Sequence, residues 1–457
     1  MTSCDTSVVS TVLTRGVAAA RCVRYGFSDA PMQFPCVINP EDGSIRPRRS
    51  YTTCLHSGDA VIHSLTRYTL RGIPSLRRCM QAAGITIEKP VGKSSHGVVF
   101  YVNIAISEAA VVRALEASPC LPSMGFLLAR RGRAVMKLMA LPKPSRRHDG
   151  LVVKPHDSSV MDPYLTCLGS GMVADGASVG FAHLYGTFVA KATMHGVPDT
   201  PVVVMVTERL EELLDVHVER CMQGERVQWR RLVGLVLQVM TVLAQGQALC
   251  GLVHNDAHLG NFMVSATESS PPASTHAYVE TPMGNVLRLP LRERVALIDF
   301  GRSSFVATPS RRRVITSELL DKFPKWEMSD AHADVMHFAA MLLLIQPRPD
   351  FFETQAAKVD SGGAPPCARA LLRLIRAALQ CDDNVDMYAQ YSRCRATSEA
   401  GCANAAIHTL RDSRRGCSGA LPTHWLDDVE LVSDFLHTDG QKRGYVLRAD
   451  GPLKTVT

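Results

Sequence analysis

The sequence of 457 residues has fourteen cysteines but no C-x-x-C pair. Zinc knuckles and dithiol redox centres both need two cysteines at that short spacing, so neither kind of site is expected. Reduced thiols in a cytosolic or nuclear protein are the expectation instead. We expect no secretory signal, because the first basic residue is Arg15 and the N-terminal residues have no continuous apolar core.

Charge of either sign is absent from the 22 residues between Leu232 and Val253. That length could span a bilayer. Three glutamines and three glycines interrupt the run, however, and it leads directly into a polar cluster. We therefore expect a buried helix, and no membrane partner.

The formal charge of +7 is modest for this length, although the arginines are clustered. Arginine clusters can bind phosphate or nucleic acid, but they also serve solubility. No nucleic-acid-binding motif accompanies them, so we expect no nucleic-acid partner.

Composition changes along the chain predict two structural regions. Residues 1–80 show little periodicity and are interpreted as an N-terminal extension. From Gly84 onward short β-branched and aromatic runs predict strands, with a helix at 107–118 and another in ERLEELLDVHVER at 208–220. Helices are predicted to dominate after Trp229, at 229–251, 330–345, 368–379 and 425–436. The pattern indicates an α+β protein with a small strand-rich lobe and a larger helical lobe.

Polar groups crowd into the stretch LVHNDAHLGNFMV at 252–264, and a second motif, VALIDFGRSS, follows at 295–304. Magnesium prefers oxygen ligands, which an amide at Asn261 and a carboxylate at Asp299 would supply. A second carboxylate, Asp256, would orient an attacking hydroxyl as general base. This set of groups suits phosphoryl transfer from a nucleoside triphosphate.

HNDAHLGN resembles the catalytic loop of the protein kinase superfamily, and IDFG resembles its metal-binding motif. The resemblance implies a bilobal kinase-like fold that binds ATP and Mg²⁺. It implies an N-lobe of antiparallel strands at 81–211, a helical C-lobe at 212–440 with an insertion at 265–290, and a tail at 441–457. His258, two residues after the proposed base, would donate to the γ-phosphate.

A glycine-containing stretch, VGKSSHGVV, fits the family's nucleotide-binding hairpin, with serine in place of the middle glycine. The resemblance implies nucleotide contacts from Val91, Gly92, Ser94, Gly97 and Val99. AVMK at 134–137 matches the family's strand lysine, which would make Lys137 the phosphate-binding cation. LVVK, ending at Lys154, is the competing match.

One departure concerns the glutamate that normally pairs with this lysine, because residues 117–207 contain no glutamate. Either Asp162 or Asp157 replaces it, or the ion pair is absent. Further along, Thr207 and Glu208 match the strand end and hinge that contact adenine. Asp334, 35 residues after Asp299, matches the helix aspartate that braces the catalytic loop.

The segment ETPMGNVLRLPLRERVALIDFGR resembles kinases of large DNA viruses, herpesvirus-like, in which an extra hairpin precedes IDFGR. This implies an intracellular enzyme, in the host cytoplasm or nucleus, that phosphorylates Ser/Thr of viral or host protein substrates. Two alternatives stay open. One is a pseudokinase scaffold, and the other is a small-molecule phosphotransferase of the aminoglycoside or choline kinase type.

Overall fold

The computed structural model divides the chain into two compact units. The first comprises residues 1–209 and 299–326, and the second comprises 210–298 and 327–457. The residues that the structure describes are 37–38, 45–46, 75–82, 84–94, 97–105, 132–140, 158–174, 178–194, 196–224, 226–266, 276–307, 312–314, 332–348, 350–379, 421–437, 445–448 and 454–455.

The strands in chain order are β1 Val37–Ile38, β2 Ile45–Arg46, β3 Ile85–Ser94, β4 Gly97–Ile104, β5 Arg133–Ala140, β6 Leu184–Met194, β7 Val197–Glu208, β8 Glu212–Leu213, β9 Phe262–Ala266, β10 His276–Glu280, β11 Val286–Pro290, β12 Glu293–Leu297, β13 Phe305–Ala307, β14 Arg312–Val314, β15 Tyr445–Arg448 and β16 Lys454–Thr455. The α-helices are α1 Leu76–Ala82, α2 Ser158–Ala174, α3 Leu214–Gln223, α4 Trp229–Cys250, α5 His332–Leu344, α6 Phe351–Ala357, α7 Pro366–Leu379, α8 Pro422–Leu426 and α9 Val429–Val432. The α+β class predicted from the sequence is confirmed.

The first unit is built on an antiparallel sheet with strand order β3-β4-β5-β7-β6. Alternation along β5 sends Met136 and Leu138 to one face, where a core forms with Cys79 of α1. Lys137 points to the other face, opposite Val99 of β4 and Met205 of β7. Period-2 alternation thus places one cation among the apolar residues in the middle of β5.

Helix α2 packs against the 3₁₀ turn Phe300–Arg302, which also belongs to the first unit. The rings of Phe181 and Phe300 lie with their centroids 6.2 Å apart and are tilted. Phe300 is 2% exposed, so this contact is part of the interior. The turn after Asp299 is therefore anchored on the same unit as the sheet.

Helix α4 forms the centre of the second unit, and most of its side chains are buried. Gln238 of α4 is only 5% exposed. Its side-chain amide forms hydrogen bonds with backbone groups of β11 and β12. The polar interruption of the apolar run thus has a structural role. Within the described ranges, no helix is long and apolar enough to cross a membrane.

A hairpin precedes IDFGR, as the resemblance of 280–302 implied, but its first strand lies almost wholly upstream of that segment. β10 and β11 pair antiparallel from His276↔Pro290 to Glu280↔Val286, and β10 also pairs with β15. The turn between them contains Gly284 with φ +82°, a conformation that disfavours a side chain. A separate sheet, in the order β12-β9-β8, contains β9, which follows the polar loop, and β12, which ends two residues before Asp299.

Two predicted helices are wrong in part. The helix expected from 208 begins only at Leu214, because Glu211–Leu213 bond the backbone of β9 instead. The helix expected over 425–436 is broken between α8 and α9, since Asp428 accepts a hydrogen bond from the Leu431 N–H and starts a new helix. Tertiary pairing and a capping side chain override the helical spacing at these positions.

Other boundaries also differ from the expectation. α1 at Leu76–Ala82 crosses the predicted limit of the N-terminal extension at residue 80, and its Cys79 enters the core of the sheet. α6 lies in a polar segment where no helix was predicted, and its Phe351 and Phe352 are buried. The predicted helix at 107–118 lies outside the described residues.

The Arg231–Glu293 ion pair joins α4 to β12 and gives a testable pH dependence. Burial alone would raise the pKa of Glu293, but hydrogen bonds from His217 and Arg231 lower it to about 2. Because the folded pKa lies below the ordinary value of 4.5, the stabilisation is complete above that pH and is lost as the pH falls through 2. We expect Glu293→Gln to lower the free energy of unfolding at pH 7 by about 1–2 kcal/mol, allowing for partial solvent exposure.

Urea denaturation at several pH values would measure this effect. The wild-type protein should lose stability between pH 4.5 and 2 more steeply than the Glu293→Gln variant. Glu430→Gln, at an exposed carboxylate of the same unit, is the matched control and should follow the wild type. Parallel pH profiles for wild type and Glu293→Gln would contradict the assignment.

Candidate functional site

Three charged side chains converge in the first unit. Lys137 Nζ lies 2.8 Å from Asp162 Oδ2 and 3.0 Å from Asp299 Oδ1. Lys137 is 8% exposed and Asp162 is 1% exposed. Asp162 is one of the two aspartates named from the sequence as a substitute for the missing glutamate, and it is the one that contacts the lysine. Lys154 and Asp157 lie outside the described residues.

Asp162 uses both carboxylate oxygens. Oδ2 accepts from Lys137, while Oδ1 accepts the backbone N–H of Phe300 at 3.0 Å. The same oxygen accepts a long hydrogen bond from the Thr166 hydroxyl, one turn further along α2. One buried carboxylate thereby links the strand lysine to the backbone immediately after Asp299.

Two opposing effects act on the charge of Lys137. Burial by itself lowers its pKa, but the charges and hydrogen bonds of Asp162 and Asp299 outweigh burial and raise the pKa above the ordinary value. Lys137 is therefore a permanent cation near neutral pH. It is suited to binding an anion such as a phosphate.

Asp299 itself has a left-handed backbone, with φ 61° and ψ 70°. Among the residues that the structure describes, only Asp199, Asn255 and Asp299 are non-glycine residues with positive φ. Two of these three lie in the motifs identified from the sequence. Sparsely populated backbone conformations of this kind concentrate at functional sites, where surrounding contacts maintain them.

The two glycines of the proposed nucleotide hairpin have different surroundings. A Cβ on Gly97 would lie 2.1 Å from the Leu138 carbonyl oxygen, so the glycine allows β4 to approach β5. A Cβ on Gly92 would meet nothing within 4 Å. Gly97 is thus required by the sheet, whereas the space beside Gly92 is open.

The remaining hairpin residues lie in β3 and β4. Ser94 pairs with Gly97 at the end of the hairpin, and Val91 is 48% exposed. Val99 lies opposite Lys137 in the sheet register. The structure therefore places Val99 and Lys137 together, with Gly92 paired to Val99 on the next strand.

Glu208, named from the sequence for its backbone, also has a structural side chain. Its carboxylate accepts the His183 N–H at 2.9 Å, and its own N–H donates to the His183 carbonyl at 2.8 Å. The sequence offered no signal for this pair, because the two residues are 25 positions apart. These bonds fix the end of β7, where the proposed adenine contacts begin.

Asp334 organises the polar loop of the second unit. Its Oδ2 accepts the His254 N–H at 2.7 Å and its Oδ1 accepts the Asn255 N–H at 2.8 Å. It is 1% exposed and lies in the first turn of α5. The bracing contact predicted from the spacing of this aspartate is present, and it supports the left-handed backbone of Asn255.

The two ends of the loop are tied to the residue after β12. His254 Nε2 lies 3.0 Å from the Ile298 carbonyl oxygen, and the Ile298 N–H donates to the Asn261 carbonyl at 2.9 Å. His254 is completely buried. The sequence did not identify this histidine as a support for Ile298.

Asp256, His258 and Asn261 are held together by short local bonds. Asn261 Nδ2 donates to the Asp256 carbonyl at 2.8 Å, which directs the amide nitrogen toward the loop. His258 Nδ1 accepts the Gly260 N–H, so a neutral ring carries its proton on Nε2. That atom lies 3.9 Å from Asp256 Oδ2. The loop therefore presents a carboxylate and a ring donor side by side.

Within the described part of the chain, no group of three or more His, Cys, Asp or Glu side chains is arranged to hold a metal ion. The proposed ligand pair would instead be one carboxylate and one amide oxygen, of Asp299 and Asn261. Both are the oxygen donors that magnesium prefers. The residues thus fit the ion by chemical type.

The chain matches no model of a known protein family, and no curated protein sequence matches it.

The contrast between the two glycines gives a paired prediction. We expect Gly97→Ala to lower the free energy of unfolding by about 3 kcal/mol, because β4 and β5 must separate to admit the methyl group. Gly92→Ala should be nearly neutral, since its Cβ enters open space. Chemical denaturation of both variants would measure the difference, and equal stabilities would refute it.

A second prediction concerns Asp334. We expect Asp334→Asn to cost about 2–3 kcal/mol, because an amide can accept only one of the two backbone N–H groups and directs its own N–H groups at the other. Denaturant unfolding and hydrogen exchange at His254 and Asn255 would report the loss. Asp360→Asn, at a carboxylate with 84% side-chain exposure, is the control. Unchanged protection of both amides would count against the bracing role.

Proposed function

We propose that this protein is an ATP-dependent protein kinase that transfers the γ-phosphate to Ser or Thr of protein substrates. The observation that carries the proposal is the contact of the buried Lys137 with both Asp162 and Asp299. A strand lysine, an acidic residue on a neighbouring helix and the IDFG aspartate are the groups that the kinase resemblance requires together. Asp162 takes the part of the missing glutamate.

The sheet of the first unit agrees with this proposal. Lys137 lies on the third of its five strands in chain order, and the strand that ends at Glu208 is the fifth. Nucleotide phosphates would lie beside Lys137, beneath the hairpin that contains Gly92. The resemblance to kinases of large DNA viruses remains part of the proposal and is supported by the β10–β11 hairpin before IDFGR.

The second unit contributes the groups for the reaction. Asp256 would orient the substrate hydroxyl and accept its proton as the oxygen bonds to the γ-phosphorus. The bond from that phosphorus to the β–γ bridging oxygen breaks, and ADP leaves. His258 Nε2–H would donate to a γ-phosphate oxygen. Ile298, which bonds both His254 and Asn261, directly precedes Asp299 in the chain.

Asn261 and Asp299 would hold Mg²⁺. The bound ion would neutralise charge on the β- and γ-phosphates. Lys137, a permanent cation, would neutralise the α- and β-phosphates from the sheet. Asp162 would keep Lys137 in position and, through the Phe300 N–H, hold the backbone that follows Asp299.

One observation favours a second candidate, a pseudokinase scaffold that does not transfer phosphate. Lys137 pairs with Asp299 itself, so a proposed metal ligand is engaged by the cation. In the scaffold, this ion pair would be permanent. In the kinase, nucleotide and magnesium would compete for Lys137 and Asp299.

Transfer of labelled γ-phosphate from ATP to a generic basic protein tests the proposal. We expect magnesium-dependent transfer that falls about 100-fold or more in Asp256→Asn, which removes the base. Lys137→Met should lose a similar factor, whereas Lys154→Met should retain activity and serves as the matched lysine control. Thermal unfolding of each variant would establish that it is folded.

Three results would decide against parts of this proposal. No transfer by the folded wild-type protein would favour the scaffold. Loss of activity in Lys154→Met but not in Lys137→Met would reassign the strand lysine. Transfer to one metabolite in a screen, with none to protein, would favour a small-molecule phosphotransferase.

A further inference from the structure

A cavity of about 670 Å³ in the second unit has no part in the proposed reaction. It is lined by the first turns of α4, by the β10–β11 hairpin and the start of β12, and by the segment that ends at Leu436. Its volume falls within the range of pockets that bind small ligands or parts of larger ones. None of its lining residues belongs to the polar loop or to the IDFG motif.

Positive charge dominates the lining. Four arginines face two carboxylates there: Arg230, Arg231, Arg288, Arg292, Glu293 and Asp434. Arg231 Nε donates to Glu293 Oε2 at 2.8 Å, so these two charges compensate each other. Arg230 and Arg288 are solvent-exposed, and Arg288 Nη2 lies 3.4 Å from His276 Nδ1. Beside these two arginines the lining has one further carboxylate, Asp434. The cavity therefore carries a net positive charge that suits an anion.

The backbone that presents these arginines is fixed by buried polar bonds. Gln238 Nε2 donates to the carbonyls of Pro290 and Glu293, at 3.2 and 2.9 Å, and its Oε1 accepts the Val295 N–H at 3.0 Å. This ties the β11–β12 connection, which carries Arg292, to the helix that carries Arg230. Pre-formed presentation of this kind lowers the ordering cost of binding.

The base of the cavity is apolar. Trp229, Leu235, Pro290 and Phe435 line it. Gly234 lets Phe435 pack closely, since a Cβ at this position would lie 3.3 Å from the ring. The site thus combines an apolar base with a cationic rim, which suits an anionic group attached to a partly apolar chain.

We propose that this cavity binds a phosphorylated serine or threonine in a segment of a partner protein, with Arg230 and Arg288 beside the phosphate. Guanidinium groups match phosphate oxygens in paired hydrogen bonds. A phosphomonoester carries close to two negative charges near neutral pH, whereas a carboxylate carries one. A pocket with an apolar base and two exposed arginines beside it suits a short peptide segment better than a nucleic-acid strand, which needs a continuous cationic groove.

Peptide binding can be measured on the full chain without ATP, so the result is independent of phosphotransfer. The probe is a fluorescein-labelled degenerate peptide library with a fixed central phosphoserine, and the control is the same library with serine. We expect the phosphorylated library to bind at least about tenfold more tightly in fluorescence anisotropy at physiological salt, because charge-assisted bonds to phosphate are strong. Equal affinity for the two libraries would overturn the proposal.

Substitution of the cavity arginines tests whether the phosphopeptide binds in this cavity. Arg230→Gln with Arg288→Gln should reduce the preference for phosphoserine at least about tenfold, whereas Arg348→Gln, an exposed arginine of the same unit outside the cavity, should not. If the double variant proves unfolded by thermal denaturation, Arg230→Gln alone replaces it. Full retention of the preference in the folded variant would overturn the site.

A nucleic-acid ligand is the rival outcome. A mixed-sequence single-stranded oligonucleotide that displaces the phosphopeptide at lower concentration, and that loses affinity in the same double variant, would reject the phosphopeptide in its favour. Weak competition that disappears at physiological salt would support the phosphopeptide, because non-specific phosphate contacts are strongly salt-dependent.

Discussion

The ammonium group of Lys137 is buried, and a buried charge is tolerated only where opposite charges compensate it. Its two partners, Asp162 and Asp299, lie 25 and 162 positions away in the sequence. That compensation requires the sheet, helix α2 and the turn after Asp299 to be folded together. The first unit is therefore organised around one cation, and a change in any of these elements alters the environment of the others.

In the second unit the organising group is a buried carboxylate. It binds backbone N–H groups, whereas the carboxylates of the first unit bind a cation. Asp334 satisfies two consecutive N–H groups of the polar loop, and Ile298 satisfies groups at the two ends of that loop. Without such partners a polar loop enclosed by apolar segments would leave unsatisfied backbone groups in the interior. The same bonds position Asp256, His258 and Asn261, so stability and the proposed chemistry depend on shared contacts.

Helix α4 illustrates how one polar residue can give an apolar element a second role. The side-chain amide of Gln238 forms hydrogen bonds with backbone groups of Pro290, Glu293 and Val295, at the connection between β11 and β12. By holding that connection, it also sets the positions of arginines around the cavity. The insertion hairpin is thereby part of the folded second unit and provides a surface distinct from the polar loop.

Local pattern in the sequence was sufficient to predict β3 to β7, α4, α5, α7 and the α+β class, because alternation and helical periodicity reflect which face of an element is buried. The kinase interpretation also came from the sequence, from the order and spacing of its motifs, and it stays a proposal. Only the tertiary structure decided that Asp162 pairs with Lys137, that Glu208 bonds His183, and that Glu212 and Leu213 pair with β9 instead of beginning α3. Those outcomes depend on groups brought together by chain folding over long separations, and no local periodicity encodes which distant partner satisfies a buried charge.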